Sequence, residues 1–179
     1  MKTRIRLITS ILLALGLALQ VSAQVKLPRL ISDGMVLQRD TGLKIWGWAS
    51  PGENVTVEFI GEKYHTSTDD SGKWMVVLPP QKAGGPHTLT VEASNRLTVS
   101  NILVGDVWFC SGQSNMELPV RRVRPLYEAE IAAAENSMIR SFTVPKVFVF
   151  SGPQTDLTGG KWVAATPETV LDFSAAAWF

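Results

Sequence analysis

Residues 105–117 read GDVWFCSGQSNME, and the character of the sequence changes at this stretch. Before it, short alternating segments separated by turns predict a β module. After it, the residues favour a helix followed by another strand. A buried strand, a loop, a helix and a second strand form the opening unit of a parallel α/β sheet. The sequence therefore predicts a β module over residues 24–101 and the start of an α/β domain over residues 102–179.

The β module is predicted from the alternation of apolar and polar residues. Val55, Val57 and Phe59 alternate with polar residues, and the set Trp74, Val76 and Leu78 again occupies every second position. This period of two is typical of a half-buried strand. Turn signals such as Ser50-Pro51-Gly52 separate the segments at intervals of roughly ten residues. We therefore expect a small antiparallel, sandwich-like module.

The second part shows a different pattern. Residues 102–104 and 107–110 are apolar without alternation, which predicts a strand buried on both faces. Residues 127–135 (YEAEIAAAE) are rich in strong helix formers, and residues 139–144 predict a second strand. A single unit of this kind cannot bury both faces of its sheet. We therefore expect the α/β domain to be incomplete in this sequence.

The first 23 residues predict a secretory signal peptide. Basic residues precede an apolar run over residues 7–19, and Val21-Ser22-Ala23 suits cleavage before Gln24. The run of about 13 apolar residues is shorter than the roughly 20 that cross a bilayer. We expect a protein exported to the periplasm or secreted, with no membrane attachment after cleavage. An uncleaved anchor is the alternative.

Cleavage would leave a slightly acidic protein. Lys2, Arg4 and Arg6 are the charged residues of the removed segment, so Lys+Arg falls from 17 to 14 against 16 Asp+Glu, and the net charge changes from +1 to −2. This balance gives no electrostatic footprint for nucleic acid. One cysteine, Cys110, excludes an internal disulfide. That thiol and two histidines are too few ligands for a structural zinc cluster.

Ser114 is the candidate for chemistry. It follows a predicted buried strand, and ligands bind where the strands of α/β sheets end. A serine there can face a cleft, with backbone N–H groups nearby to hold an oxyanion. Residues 112–114 fit the first half of G-x-S-x-G, but Met116 replaces the second glycine. The structural alternative is that Ser114 and Asn115 cap the next helix.

Residues 105–117 resemble the first conserved block of the sialate O-acetylesterase family, a branch of the SGNH-type hydrolases. The most specific piece is GQSNM at residues 112–116. The resemblance covers essentially the whole chain after residue 23. Similar segments are LISDGMVLQR at 30–39, WGWA at 46–49, GKW at 72–74, AGGP at 83–86, IRSFTV at 139–144 and DFSA at 172–175.

This resemblance implies an SGNH-type α/β domain and a serine esterase that removes acetyl groups from sugar hydroxyls. Sialate 9-O-acetyl esters are the leading substrates, although other acetylated glycans remain open. By position, Ser114 is the nucleophile and its backbone N–H contributes to the oxyanion hole. The neighbouring Gln113 and Asn115 are assigned to substrate binding. The chemistry needs neither a metal nor an organic cofactor.

The general base has no counterpart in the sequence. In the family, the histidine and its acidic partner form an Asp-x-x-His downstream of this block. The two histidines here, His65 and His87, fall in the predicted β module. His87 is predicted in a turn, and strand geometry places Glu62 and His65 on opposite faces. We therefore expect a fragment without the catalytic His and Asp, the alternative being a non-catalytic secreted carbohydrate-binding module or an inactive remnant.

Other side chains receive structural interpretations. We expect Asp106 to be satisfied in a local turn, Glu117 to bond backbone near the site, and Cys110 to be a packed, inert thiol. Residues 121–124 (RRVR) favour a solvated basic face, with the steering of an anionic sugar as the alternative. Core packing is favoured over sugar stacking for four tryptophans, namely Trp46, Trp48, Trp74 and Trp108.

Overall fold

The computed structural model describes residues 24–179, so the predicted signal peptide lies outside the described residues. This part of the chain is a mixed β structure with few helices, none of them long and apolar enough to cross a membrane. The strands are β1 Val36–Gln38, β2 Leu43–Trp48, β3 Asn54–Phe59, β4 Glu62–Ser67, β5 Lys73–Leu78, β6 Gly84–Glu92, β7 Arg96–Gly105, β8 Asn136–Phe142 and β9 Trp162–Ala165. The helices are α1 Ser114–Glu117, α2 Glu128–Ala132 and α3 Ala175–Trp178, with 3-10 turns at Val120–Arg122, Arg124–Leu126 and Thr169–Asp172.

The first seven strands form two sheets that share one core. Five strands lie in the order β1-β7-β6-β3-β4, with β1 parallel to β7 and the other pairs antiparallel. Strands β2 and β5 form a separate antiparallel pair. Buried side chains of both sheets, such as Ile45 and Val57, belong to the same hydrophobic cluster. The alternation predicted over residues 55–59 and 74–78 is confirmed, because the predicted inward positions of β3 and β5 are the more buried ones, whereas Met75 and Val77 are exposed.

Strand β7 extends the β module beyond the predicted boundary at residue 101. Ile102, Leu103 and Val104 are buried, as predicted. They pair with β1 on one side and with β6 on the other, so they belong to the five-stranded sheet of the β module. Their assignment to an α/β sheet is therefore wrong. The division of the remaining chain into domains stays a prediction.

The buried strand predicted over residues 107–110 is wrong. These residues form no regular element, and the side chains of Trp108 and Phe109 are 84% and 90% exposed. Cys110 is also exposed, which corrects its interpretation as a packed thiol. A strand needs a neighbour to satisfy its backbone N–H and C=O groups. Within residues 24–179, no segment pairs with residues 107–110.

The predicted helix and second strand are present, but they do not form a parallel unit. Helix α2 covers the centre of residues 127–135, and β8 covers most of the predicted strand. However, β8 pairs with β9 in an antiparallel sheet of two strands. A parallel return needs a crossover, usually a helix. Residues 143–161 contain no helix, so the chain returns antiparallel.

Arg140 of β8 fastens this second part of the chain to the β module. Its Nη1 donates to the Gly34 carbonyl oxygen at 2.7 Å and also to the Asn101 carbonyl oxygen. Its Nη2 donates to Asn101 Oδ1 at 2.8 Å. Burial lowers the pKa of Arg140. Nearby, Trp162 Nε1 donates to the Leu30 carbonyl oxygen at 2.9 Å, which adds a second link.

We expect Arg140→Ala to lower the free energy of unfolding by about 2 kcal/mol, because three charge-assisted hydrogen bonds to the β module are lost, together with one from Nε to the Ser137 carbonyl oxygen. Thermal denaturation followed by circular dichroism should show a Tm about 5 °C lower. Arg96→Ala is the matched control, since Arg96 is an exposed residue of β7 and its side chain makes no hydrogen bond to a described residue. Equal Tm values for the two variants would contradict the proposed role of Arg140.

Candidate active site

Ser114 is the first residue of α1, the short helix that follows the irregular segment after β7. Gln113 occupies the N-cap position, and its carbonyl oxygen accepts hydrogen bonds from Met116 N at 2.9 Å and Glu117 N at 3.2 Å. No side chain makes a capping hydrogen bond to α1. The alternative in which Ser114 and Asn115 cap this helix is therefore wrong.

The Ser114 side chain is exposed and makes no hydrogen bond to a described residue. Gln113 and Asn115 on either side of it are exposed as well. The first N–H groups of any helix lack an intrahelical partner, so the N–H of Ser114 is available. This arrangement presents a hydroxyl, a backbone donor and two amide side chains on one short segment. Each can contact a ligand without breaking an internal bond.

Helix α1 is held in place by the end of the described chain. The Ser174 hydroxyl donates to Met116 Sδ at 3.3 Å. Immediately after α1, the Leu118 carbonyl oxygen accepts a hydrogen bond from Ala175 N at 2.8 Å. Val120 is fully buried in a small second core that also contains residues of the 170–175 segment. The position of Ser114 therefore depends on packing against residues far away in sequence.

The two carboxylates that flank Ser114 are both paired elsewhere. Asp106 Oδ1 accepts a hydrogen bond from Arg39 Nε at 2.8 Å, and this bond raises the pKa of Arg39. Glu117 Oε1 lies 2.9 Å from Lys146 Nζ. The predictions of a local turn for Asp106 and a backbone bond for Glu117 are therefore wrong. Long-range ion pairs of this kind leave no sequence signal.

Neither histidine is part of this segment. His65 is an exposed residue of β4, and its Nδ1 lies 3.1 Å from Thr56 Oγ1 across the sheet. His87 lies in β6, which corrects its prediction as a turn residue, and its ring packs edge-to-face on Phe59 with centroids 5.7 Å apart. Glu62 pairs with Phe59 and His65 with Thr56, which confirms that they lie on opposite faces. No hydrogen bond links either imidazole to the Ser114 segment within residues 24–179.

The tryptophans and arginines divide into different environments. Trp74 is 3% exposed and belongs to the core, as predicted. Trp46 is half-buried and packs against that core, which confirms the prediction for it, whereas Trp48 is half-buried and the prediction is wrong for Trp108. In the basic cluster, Arg121 forms an ion pair with Asp172, and the remaining two arginines are exposed.

Two concave features of the described surface are lined by other residues than Ser114. The larger, of about 560 Å³, lies between α2 and residues 167–171. The smaller, of about 220 Å³, lies on the β2–β5 pair. The Ser114 segment itself is exposed, and the exposed side chains of Trp108 and Phe109 belong to the same stretch of sequence.

Comparison with known proteins identifies relatives of two kinds. Mouse sialate O-acetylesterase is 39% identical over 126 residues, which cover 64% of this chain and 23% of that protein. The human sialate O-acetylesterase is 44% identical over 105 residues, which cover 52% of this chain and 20% of that protein. No protein-family model matches the chain.

The crystal structure of a carbohydrate acetylesterase from Xanthomonas citri is also similar, with a TM-score of 0.82 and 42% sequence identity. The similarity covers 87% of this chain and 36% of that one. The chain thus spans about a fifth of the length of the curated relatives it matches and about a third of the solved structure. These findings confirm the resemblance predicted from residues 105–117, and the chain is similar to sialate O-acetylesterases over part of their length.

Proposed function

We propose that the protein is a carbohydrate O-acetylesterase, with sialate 9-O-acetyl esters as the leading substrates. The observation that carries this proposal is the exposed, unbonded hydroxyl of Ser114 at the start of α1, within the segment that resembles the family. A hydroxyl that stabilises nothing in the fold is consistent with a role toward a ligand. The similarity to named acetylesterases supports the choice of substrate class.

In the proposed reaction, Ser114 Oγ attacks the acetyl carbonyl carbon and loses its proton to a base. The tetrahedral intermediate collapses, the bond to the sugar oxygen breaks, and the sugar leaves as an alcohol after taking up that proton. Water then hydrolyses the acetyl-enzyme to acetate and restores the serine. The Ser114 N–H is a donor for the oxyanion, and the Gln113 and Asn115 amides are placed to bind substrate hydroxyls.

The base must come from elsewhere. A serine hydroxyl is a weak nucleophile until a base accepts its proton. His65 and His87 belong to the five-stranded sheet and have partners there. We therefore propose that the catalytic histidine and its acidic partner are residues outside this sequence.

The proposed architecture is an SGNH-type α/β domain preceded by a sandwich-like β module. Exposed large apolar side chains support it, because such side chains often belong to an interaction surface. They include Trp108, Phe109, Phe148 and Phe150, whose exposures are among the largest of the described apolar residues. Additional strands packed along residues 107–110 would bury such side chains.

The assignment of the base is testable with histidine variants of the protein as its gene encodes it. We expect His65→Gln and His87→Gln to retain acetate release from acetylated sialic acid within about twofold of wild type, because neither imidazole reaches Ser114. Acetate would be measured by a coupled assay. A loss of several orders of magnitude in His65→Gln, with an unchanged circular dichroism spectrum, would place the base in the β module and overturn this assignment.

We further propose that residues 1–23 direct export and are then removed. The arrangement of basic, apolar and small residues supports this proposal. N-terminal sequencing of the protein from periplasm or culture medium should begin at Gln24. A mature protein beginning at Met1 and sedimenting with membranes would favour the uncleaved anchor.

A further inference from the structure

The smaller concave feature lies on the outer face of the β2–β5 pair. Its lining residues are Trp46, Gly47, Trp48, Lys73 and Thr155, and its volume is about 220 Å³. We call it the Trp48 hollow. We propose that the Trp48 hollow binds one pyranose ring of a carboxylate-bearing sugar. This inference rests on the proposed function only in taking a carbohydrate as the ligand.

The alternation of β2 directs two indoles into the hollow. Leu43, Ile45 and Gly47 are buried in β2, so Trp46 and Trp48 occupy the opposite face of the strand. Both indoles are half-buried, and neither makes a hydrogen bond to a described residue. An indole offers an apolar face for packing and one N–H for a polar partner. A pyranose ring presents the complementary groups, with C–H bonds on its faces and hydroxyls at its edge.

Two lysines flank Trp48 on the same face. Lys26 pairs with Trp48 through N–H···O distances of 2.7 and 3.0 Å, and Lys73 is opposite Trp48 on the other side. Residues directly opposite each other in antiparallel strands project to the same face. Neither ammonium group forms an ion pair with a described residue. The nearby Asp69 carboxylate accepts hydrogen bonds from the Ser71 hydroxyl and from backbone N–H groups.

This charge arrangement selects the ligand class. Two ammonium groups on either side of an indole form a local positive field, which the Asp69 carboxylate weakens near Lys73, because the two charges interact. A sugar that carries a carboxylate would stack on the indole and place its charge between the lysines. A neutral sugar would stack on the indole but would leave the two ammonium groups without an anionic partner from the ligand.

Thr155 makes the outer face concave. It belongs to the loop between β8 and β9 and lines the hollow beside Trp48, and its hydroxyl has no hydrogen-bond partner among residues 24–179. The loop is fixed nearby, because Asp156 Oδ1 accepts a hydrogen bond from Arg29 N at 3.1 Å. Thr155 bounds the hollow on one side, so the ligand is limited to about one sugar ring. Its hydroxyl adds a polar contact. The hollow is therefore a bounded site rather than a flat sheet face.

The test is a titration of the protein as its gene encodes it, in a Ser114→Ala background, with the methyl α-glycoside of N-acetylneuraminic acid. This probe has no ester, so its binding is independent of hydrolysis. NMR of the indole N–H signals should show Trp48 among the shifted resonances, assigned with Trp48→Phe. We expect Trp48→Ala to weaken binding about tenfold and Lys73→Gln about fivefold.

Two matched controls separate the hollow from general surface effects. Ile60→Ala removes an exposed apolar side chain at the β3–β4 turn, and Lys63→Gln removes an exposed lysine of β4. Both should bind the probe as wild type does. Equal binding of the neutral methyl ester of the probe would overturn the assignment to an acidic sugar. An unshifted Trp48 signal, or unchanged affinity in Trp48→Ala, would overturn the site, whereas absence of acetate release with intact binding would overturn only the esterase proposal.

Discussion

Ser114→Ala should lower kcat for acetate release from acetylated sugars by about 10⁴-fold or more, because the proposed reaction forms the acetyl-enzyme on Ser114 Oγ. Its hydroxyl makes no hydrogen bond to a described residue, so its removal takes no contact from the fold. Alanine is also a better helix former than serine at the first position of α1. We therefore expect the Tm of the variant to equal that of wild type within about 2 °C. The measurement is steady-state acetate release, with thermal denaturation as the check on folding.

Ser111→Ala is the matched control for this prediction. Ser111 is another exposed serine of the same segment, but it precedes α1 and lies outside the helical turn. We expect this variant to retain activity within about threefold of wild type. If activity survives in Ser114→Ala and disappears in Ser111→Ala, the nucleophile would be Ser111 and not Ser114. No hydrolysis by wild type, together with equal sugar binding by wild type and Ser114→Ala, would instead support a non-catalytic carbohydrate-binding module.

The elements that could be predicted from sequence are those determined by local pattern. Alternation in β3 and β5 reports directly which face is buried, and the predicted strands are present there. Helix α2 follows from a run of strong helix formers. The family resemblance was carried by residues 105–117 and is supported by named relatives.

The elements that sequence reasoning missed depend on partners far away in the chain. An apolar run such as residues 107–110 has the composition of a buried strand, but it becomes one only when neighbours pair with it. Likewise, nothing in the sequence links Asp106 to Arg39 or Arg140 to Asn101, because these contacts join residues tens of positions apart. The positions of Lys26 and Lys73 on either side of Trp48 could not be predicted for the same reason. Lys26 is brought there by a single isolated bridge.

Gly47 allows close packing within the β2–β5 pair, and it also lines the Trp48 hollow. A Cβ atom at this position would collide with the Lys26 carbonyl oxygen and lie 2.9 Å from Trp74 Cζ2. The first contact is with a backbone atom and the second is with a buried ring. Moving either group aside would therefore cost folding free energy. Only glycine allows the Lys26 backbone, β2 and the Trp74 indole to approach this closely.

We therefore expect Gly47→Ala to lower the free energy of unfolding by about 3 kcal/mol and the Tm by about 10 °C. Gly105→Ala is the control, because a Cβ there would meet only Val36 Cγ1 at an ordinary 3.7 Å. Thermal denaturation of the two variants measures the difference. Displacing Lys26 should also weaken binding of the acidic sugar in Gly47→Ala at temperatures where the variant remains folded. A Tm equal to that of Gly105→Ala would show that the Lys26 backbone can move aside, and the close approach at Gly47 would then lose its structural role.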